Sequence, residues 1–459
     1  MGTIHKTSII ILTYNNFEYS RDCIESIRKY TENNTYEIIV VDNNSTDETR
    51  EWLKAQPDLK LQLNEKNEGF PRGCNIGIRM AEADNDILLL NNDTIVTPRW
   101  LENLRTCLYS SHDIGAAGAV SNHHENLQGV DFTYENMDEM QECADKNNRS
   151  NSSLWEEKVF LIGYCLLIKR EVINKIGLLD EAYSPGYVED NDFSLRILKA
   201  GYRLMLCHDC FIHHYLGTGF WKDMSRFYPI LYANRATFFN RWGFVTQAFD
   251  EIKHDSLRIL NEPDKKDMNI LELGCGIGAT LLKIKYACPG AVLFGWEPDV
   301  HMAEISRHFA KISTCDLSSV MSGYEDGFFD YILVGRYPET VQNPKAFLDS
   351  VKKKLRPGGW VIASIQNVLH FSRVRDLLNG TWFLSGNRHQ KTGITDYTLQ
   401  DFSALLTDCG YQGQYTFHWF SVLSEDDTAY IQRLCAISEG EKDYNFSTYL
   451  YSIKAQKPQ

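Results

Sequence analysis

The chain has 459 residues, 43% of them hydrophobic and 24% charged, and 47 Lys+Arg against 61 Asp+Glu leave a formal net charge of −14. This is the composition of a soluble globular protein, about three domain-lengths long by the usual prior. The acidic balance argues against a general phosphate-backbone binder, which needs a basic face. No nucleic-acid partner is expected, although a small basic pocket for one diphosphate stays compatible with it. The longest apolar run, Val159 to Ile168, spans about ten residues and is broken by Gly163, whereas a membrane helix needs about twenty. No transmembrane segment is expected. Met1 to Lys6 lacks a basic-then-apolar signal pattern. The expectation is a cytoplasmic chain, free or at the inner face of the membrane, with its 12 cysteines reduced.

In chain order, Ser8–Leu12 reads as a strand, Phe17–Tyr30 as an amphipathic helix and Glu37–Val41 as a second strand. Ser45-Thr46-Asp47 is an N-cap cluster for another helix. Further strands are expected at Lys60–Leu63, Ile87–Leu90, Ala116–Val120 and Val159–Ile168. The alternation predicts a parallel α/β sheet with helices on both faces. Trp221 to Leu260 reads as helical and aromatic, packing on this first domain, with Tyr228 to Trp242 as core rather than a carbohydrate platform. The polar stretch Asn261 to Asp267 is the linker candidate, after which Asn269–Leu273 starts a second αβ alternation. The expected boundaries are 1–222 for the first domain, 223–266 for a helical extension and linker, and 267–459 for the second domain.

In such sheets ligands sit beyond the carboxyl ends of the strands. Those ends carry Thr13-Tyr14-Asn15, Asp42-Asn43-Asn44-Ser45 and Asn91-Asn92-Asp93. Tyr14 can stack on a base, and Asp42 can accept from a pyrimidine imide N–H. Between them Asn67-Glu68-Gly69-Phe70-Pro71-Arg72 runs on to Asn75 and Gly77. Its glycines allow close backbone approach, and Arg72 can offset diphosphate charge.

These residues resemble the family 2 glycosyltransferases, the inverting class with the GT-A fold. Four motifs match in order: Ile11 to Asn15, Val40 to Asp47, Asn67 to Gly77 and Leu90 to Thr94. The resemblance covers roughly residues 7–220. It implies a nucleoside-diphosphate sugar donor, UDP- or dTDP-linked. Thr13, Tyr14 and Asp42 are then expected at the base, with Asn15, Asn67, Gly69, Asn75, Asn91 and Asn92 completing the donor site. Arg72 is expected at the phosphates or base, and Asp93 at a divalent cation, Mg²⁺ or Mn²⁺. Asn91 stands where many members carry Asp, a form common in rhamnosyl-type members, which leans the donor towards a deoxysugar. In Gly186 to Arg196, Glu189-Asp190 matches the family's Glu-Asp motif. That match implies Asp190 as the base and Glu189 as an acceptor-binding residue or its understudy. Asp192 reads as a helix-start residue paired with Arg196. The family often places a metal- or phosphate-contacting His near Phe211-Ile212-His213-His214. Spacing to Gly217 favours His214 and leaves His213 open. Cys207 and Cys210 with these histidines have the look of a zinc cluster, but no second Cys-x-x-Cys pair stands nearby.

In the second domain Leu271-Glu272-Leu273-Gly274-Cys275-Gly276-Ile277-Gly278 follows a strand and opens a helix. A nicotinamide site would want Gly-x-Gly-x-x-Gly. Here the third glycine comes one residue early and an acidic residue precedes the first. Glu297 ends the next strand, placed for both ribose hydroxyls, and Asp316 ends a third, where it could bind an adenine amine. Phe329–Val334 and Leu355–Ile362 supply strands four and five. The series resembles the Rossmann-like class I methyltransferases over about residues 268–456. It implies S-adenosyl-L-methionine bound by Glu272, Gly274, Gly276, Gly278, Glu297 and Asp316. Tyr337 to Thr340 stand where related enzymes read Leu-Glu-His, so that His is missing. His370 and His389 are the remaining candidates for a base, against the commoner structural role of a lone His.

The expected whole is an α/β bifunctional transferase. One half transfers a sugar to a glycan, lipid-linked or protein acceptor, and the other O-methylates the sugar, as on polysaccharide, lipid-linked or flagellar surface glycans. The competing readings are a methyltransferase-like domain that only binds and, more weakly, a nicotinamide-dependent sugar-modifying domain.

Overall fold

A computed structural model describes residues 5–122, 128–215, 224–260, 267–381, 396–438 and 441–459. The chain divides into two compact units, Met1–Asp250 and Glu251–Gln459. Residues 261–266 of the expected linker lie outside the described residues, as do Trp221, Gly217 and His389. Among the described residues no helix is long and apolar enough to cross a membrane.

The strands of the first unit are β1 (Thr7–Thr13), β2 (Tyr36–Asp42), β3 (Leu59–Leu63), β4 (Asp86–Asn91), β5 (Thr94–Ile95), β6 (Ile114–Val120), β7 (Trp155–Lys158), β8 (Cys165–Ile168), β9 (Arg203–Phe211) and β10 (His213–His214). Eight of them form one sheet in the order β3-β2-β1-β4-β8-β6-β9-β7, and β5 and β10 form a separate ribbon. The expected all-parallel sheet is corrected to a mixed one. β8 runs antiparallel to both β4 and β6, and β7 runs antiparallel to β9. The apolar run from Val159 is a strand only from Cys165 onward. Ahead of it the backbone donors leave the ladder: the N–H groups of Leu161, Ile162 and Gly163 donate to Ser194, Gln128 and Asp190 side chains.

The helix Phe17–Tyr30 forms where its periodicity predicts, burying Ser20, Cys23, Ile24 and Ile27 on one face against Ile9, Ile11 and Trp100. The aromatic helix Met224–Trp242 belongs to the first unit. It is core on one side only: Phe227, Phe238 and Trp242 are buried, whereas Tyr228, Tyr232 and Phe239 are exposed. Trp242 Nε1 donates to Asp192 Oδ1 at 2.9 Å, and the predicted Asp192–Arg196 pair forms at 2.8 Å.

The second unit has β11 (Asn269–Leu273), β12 (Val292–Trp296), β13 (Lys311–Ser313), β14 (Phe329–Gly335), β15 (Leu355–Gln366), β16 (Gln412–Phe420) and β17 (Thr448–Gln456). They form one sheet ordered β13-β12-β11-β14-β15-β17-β16. It is parallel from β13 to β15, and β17 is antiparallel to both its neighbours. The unit begins before the expected boundary. The helix His254–Ile259 carries Leu257 and Ile259 onto the cluster that includes Met268, Ile270 and Leu281.

Candidate functional site

The carboxyl ends of β1 and β2 are stitched together by side chains. Asn15, at φ 58°, accepts from the Thr46 N–H at 2.7 Å, and its own N–H donates to Ser45 Oγ at 2.7 Å. Asp42 is fully buried. Its carboxylate accepts from the Asn44 and Ser45 N–H groups and pairs with Arg50 Nε at 2.9 Å. A carboxylate has about four lone-pair positions, and Asp42 Oδ1 carries only a long 3.3 Å contact from Ser45 N–H. Tyr14 stands 49% exposed beside this turn, open for stacking.

Two residues expected at the donor face inward instead. Thr13 is 1% exposed and its hydroxyl meets Ser20 Oγ at 2.9 Å. Asn75 is also 1% exposed; its amide accepts from Leu179 N–H at 3.0 Å and donates to Leu179 O at 2.9 Å and Glu181 Oε1 at 3.1 Å. The polar side-chain atoms of both are thus engaged with the chain itself, bracing the strand end and the 179–181 loop. Asn43, quoted in the motif but not assigned a role, joins the second and third loops. It donates to Asn67 Oδ1 at 3.3 Å and Gly69 O at 3.2 Å, and accepts from Asn64 at 2.9 Å. Gly69 has φ +81°, and a Cβ there would come within 2.7 Å of Pro185 Cα, so the close approach requires glycine. Arg72 is half exposed and reaches Glu68 at 3.2 Å and Glu181 at 3.7 Å, leaving its guanidinium able to turn to an anion.

After β4 the chain folds the Asn91–Asp93 segment under the ribbon of β5 and β10. Asn92 Nδ2 donates to Ser20 Oγ at 2.9 Å. His214 pairs with Thr94 and His213 with Ile95, so adjacent histidines turn to opposite sides. His214 Nε2 lies 3.1 Å from Asp93 Oδ1, and Tyr164 stacks on its ring at 5.2 Å. His213 instead turns its Nδ1 to the Tyr134 hydroxyl at 2.6 Å. Of the two histidines, His214 therefore lies on Asp93 and His213, which is buried, on the Tyr134 hydroxyl. Among the described residues no group of three or more His, Cys, Asp or Glu side chains is arranged for a metal ion. Asp93 and His214 are a mixed oxygen and nitrogen donor pair, which fits a cation completed by ligand oxygens and water.

Antiparallel pairing places Leu90 opposite Cys165, and Asn91 N–H donates to Tyr164 O at 2.9 Å. One residue further along, Gly163 N–H donates to Asp190 Oδ2 at 2.9 Å. A Cβ on Gly163 would come within 2.6 Å of Asp190 Oδ1. The register therefore brings Asp190 to the strand end that carries Asn91 to Asp93. Asp190 and Glu189 open the helix Glu189–Lys199. Burial raises the Asp190 pKa to about 6, offset in part by the Gly163 N–H. Burial, then the neighbouring Asp190 charge, pushes Glu189 well above the usual carboxylate range. Glu189 Oε2 has no hydrogen-bond partner among the described residues. A buried carboxylate whose pKa is raised toward neutrality, beside a second carboxyl shifted upward in the same way, has the form of a general base. Gly163 was legible only as a break in an apolar run. A cleft lined by His5, Asp86, Tyr109, Lys169 and Arg170 lies at the opposite, amino ends of β1 and β4 and holds none of these groups.

In the second unit Gly274, Gly276 and Gly278 have φ of +63°, +55° and +86°, a turn that only glycines make without strain. Gly276 N–H donates to Glu297 Oε2 at 2.8 Å, and Asp299 N–H to Glu297 Oε1 at 3.0 Å. Glu297 is thus fixed at the end of β12, beside the glycine turn. Glu272 is buried and pairs with Lys253 at 2.7 Å. The same ammonium donates to the carbonyls of Leu273 at 3.0 Å and Gly274 at 2.8 Å. Lys253 comes from Trp221–Leu260, the stretch expected to pack on the first domain, and spacing carried no sign of its place in the second unit. Asp316 caps its helix and is held by the Ser318 and Ser319 hydroxyls at 2.6 Å, which keep its carboxyl well below the usual range. Tyr337 lies against Gly274 and packs edge-on to Trp296 at 5.3 Å. His370 is 8% exposed, and its two ring nitrogens meet the Ser372 and Ser421 hydroxyls at 2.8 and 2.9 Å. Burial lowers its pKa to about 4. Both of its ring nitrogens are thus engaged by hydroxyls within the fold.

Residues 8–177 match the profile "Glycosyl transferase family 2", and residues 244–415 match the profile "Methyltransferase domain". Glycosyltransferase GlyG of Streptococcus pneumoniae is 28% identical over 37% of this chain and 58% of its own length. Glycosyltransferase AglE of Haloferax volcanii is 26% identical over 45% of this chain and 66% of its own length. The chain thus spans 58% and 66% of the length of these two curated relatives. Among solved structures, the mannosyltransferase PcManGT from Pyrobaculum calidifontis, in complex with GDP-Man and Mn²⁺, is 19% identical at a TM-score of 0.36. That match covers 50% of this chain and 68% of the other.

Proposed function

From the matches of residues 8–177 to a family 2 glycosyl transferase profile and of 244–415 to a methyltransferase profile, we propose that the chain is a transferase that transfers a sugar with inversion and methylates a sugar hydroxyl. The donor we infer is a UDP- or dTDP-sugar, with rhamnose favoured by Asn91. The acceptor is a glycan, free, lipid-linked or on protein. The observation that carries this reading is the β4–β8 register: with Gly163 it seats Asp190 beside the strand end bearing Asp93.

Asp93 and His214 would hold Mg²⁺ or Mn²⁺, whose charge offsets that of the leaving diphosphate when it is bound. Tyr14 stacks on the base and Arg72 faces the phosphates. Asp190 takes the proton of the acceptor hydroxyl as the new bond forms at the anomeric carbon. The bond to the diphosphate breaks on the opposite face, which inverts the configuration. In the second domain the turn Gly274 to Gly278 and Glu297 would hold S-adenosyl-L-methionine. Methyl transfer needs mainly alignment of the hydroxyl with the sulfonium in a dry site.

A second reading, a methyltransferase-like domain that binds without chemistry, is favoured by Lys253, whose ammonium already occupies the carbonyls of the glycine turn. Adenosylmethionine bound tightly with no methyl transfer to any glycosylated product would select it. The glycosyl reading is tested by a hydrolysis screen of UDP- and dTDP-sugars with Mg²⁺ or Mn²⁺. Cation-dependent release of one nucleotide is expected, and no turnover of any donor overturns it.

A further inference from the structure

The turn ahead of the acid pair is held in an unfavourable shape. Tyr187 and Val188 have φ of 73° and 76°, and Gly186 has φ of 154°. A β-branched residue in the left-handed region is an outlier that persists only where surroundings over-determine it. Two clamps do so here. On one side the Phe70 N–H donates to Pro185 O at 2.7 Å, tying the turn to the helix that carries Arg72. On the other side is Asn234, 4% exposed, in the helix Met224–Trp242. Its Nδ2 donates to Tyr183 O and Gly186 O at 2.7 Å each and to Tyr187 O at 3.1 Å.

The same helix grips the other side of the acid pair. Arg241 Nε and Trp242 Nε1 reach Asp192 Oδ1 at 3.0 and 2.9 Å. Glu189 and Asp190 therefore sit between two anchor points supplied by one helix, which lies beyond residues 8–177 matched by the glycosyl transferase profile. We propose that Asn234 is a positioning residue for sugar transfer: its amide holds the 183–188 turn in the left-handed shape that presents Glu189 and Asp190 to the acceptor. This rests on the reading of Asp190 as the base.

The test uses the full chain with Mn²⁺ and a panel of UDP-glucose, UDP-N-acetylglucosamine and dTDP-rhamnose. Asn234→Ala should lower kcat for donor hydrolysis about ten- to hundredfold, the cost of a misplaced catalytic group. It should leave the Kd for UDP with Mn²⁺ within about twofold and speed amide hydrogen exchange in 183–190 alone. Asn234→Ser keeps one donor and should recover part of the lost kcat; it also carries the test should the alanine variant not fold. A merely structural role would lower kcat and UDP affinity together, or speed exchange across the whole first unit, and either result overturns the proposal. So does wild-type turnover or unchanged exchange at 183–190 in Asn234→Ala. If no donor in the panel turns over, the exchange result decides. Asp190→Asn run in parallel separates the two claims. If it keeps turnover, the base assignment fails; if it is inactive while Asn234→Ala is normal, only the positioning role fails.

Discussion

At the residue scale the acid pair sets the pH behaviour. A base must be ionised to work, so turnover should rise with pH through about 6, the value to which burial moves Asp190. A kcat profile flat from pH 5 to pH 8 would contradict the assignment. Glu189 carries a stability consequence of definite sign. Its pKa is raised in the folded chain, so the folded state holds the proton that the unfolded state loses above 4.5. Folding stability therefore falls as pH climbs from that ordinary value toward the raised one. Glu189→Gln removes the cost. It should stabilise the protein at pH 8 by about 1–3 kcal/mol, the penalty of a buried group left unpaired, and change nothing at pH 4, as read by thermal unfolding. The histidine pair gives a second contrast. His214→Ala should weaken Mn²⁺ binding in the presence of UDP at least about tenfold by calorimetry, a loss of about 1.4 kcal/mol, because His214 lies on Asp93. His213→Ala should leave it near wild type, because that ring faces Tyr134.

At the element scale the decisive feature is the unpaired stretch before β8. Its backbone donors bond to side chains instead of a neighbouring strand, and one of those bonds holds Asp190. Gly163→Ala places a methyl 2.6 Å from Asp190 Oδ1, so the helix start or the strand must move. Turnover should drop at least about tenfold while UDP binding is kept; equal loss of both would show that Gly163 serves the donor loops instead. The helix Phe17–Tyr30, the glycine turn of the second unit and the Asp192–Arg196 pair were legible because period, φ demand and i,i+4 spacing are local properties. The Gly163–Asp190 bond joins residues 27 apart and leaves no mark in either segment alone. The inward bonds of Thr13 and Asn75 left no mark in the sequence for the same reason. A strand-end hydroxyl or amide looks alike whether it faces a ligand or braces a distant loop.

At the scale of the whole molecule the division falls between Asp250 and Glu251. The helix Met224–Trp242 is built into the first unit through Asn234 and Trp242, whereas Lys253 and the helix His254–Ile259 belong to the second. A fragment ending at residue 250 should therefore unfold in one cooperative transition and bind UDP with Mn²⁺. One ending at 222 loses the Arg241 and Trp242 bonds to Asp192 and the Asn234 bonds to the carbonyls of Tyr183, Gly186 and Tyr187, and should melt lower or fail to fold. Equal melting temperatures for the two fragments would contradict this placement.

The order of four strand-end motifs and the triple-glycine turn determined, from the sequence alone, that two α/β domains follow one another along the chain. They could do so because a ligand-binding loop is written in contiguous residues with strict backbone demands. Only the tertiary structure decided which histidine meets Asp93, how Asp190 comes to the strand end that carries Asp93, and that Lys253 reaches the glycine turn of the second unit. Each of these depends on antiparallel register or on a helix packing back over many residues, and such long-range pairings are fixed by the packing of the whole unit.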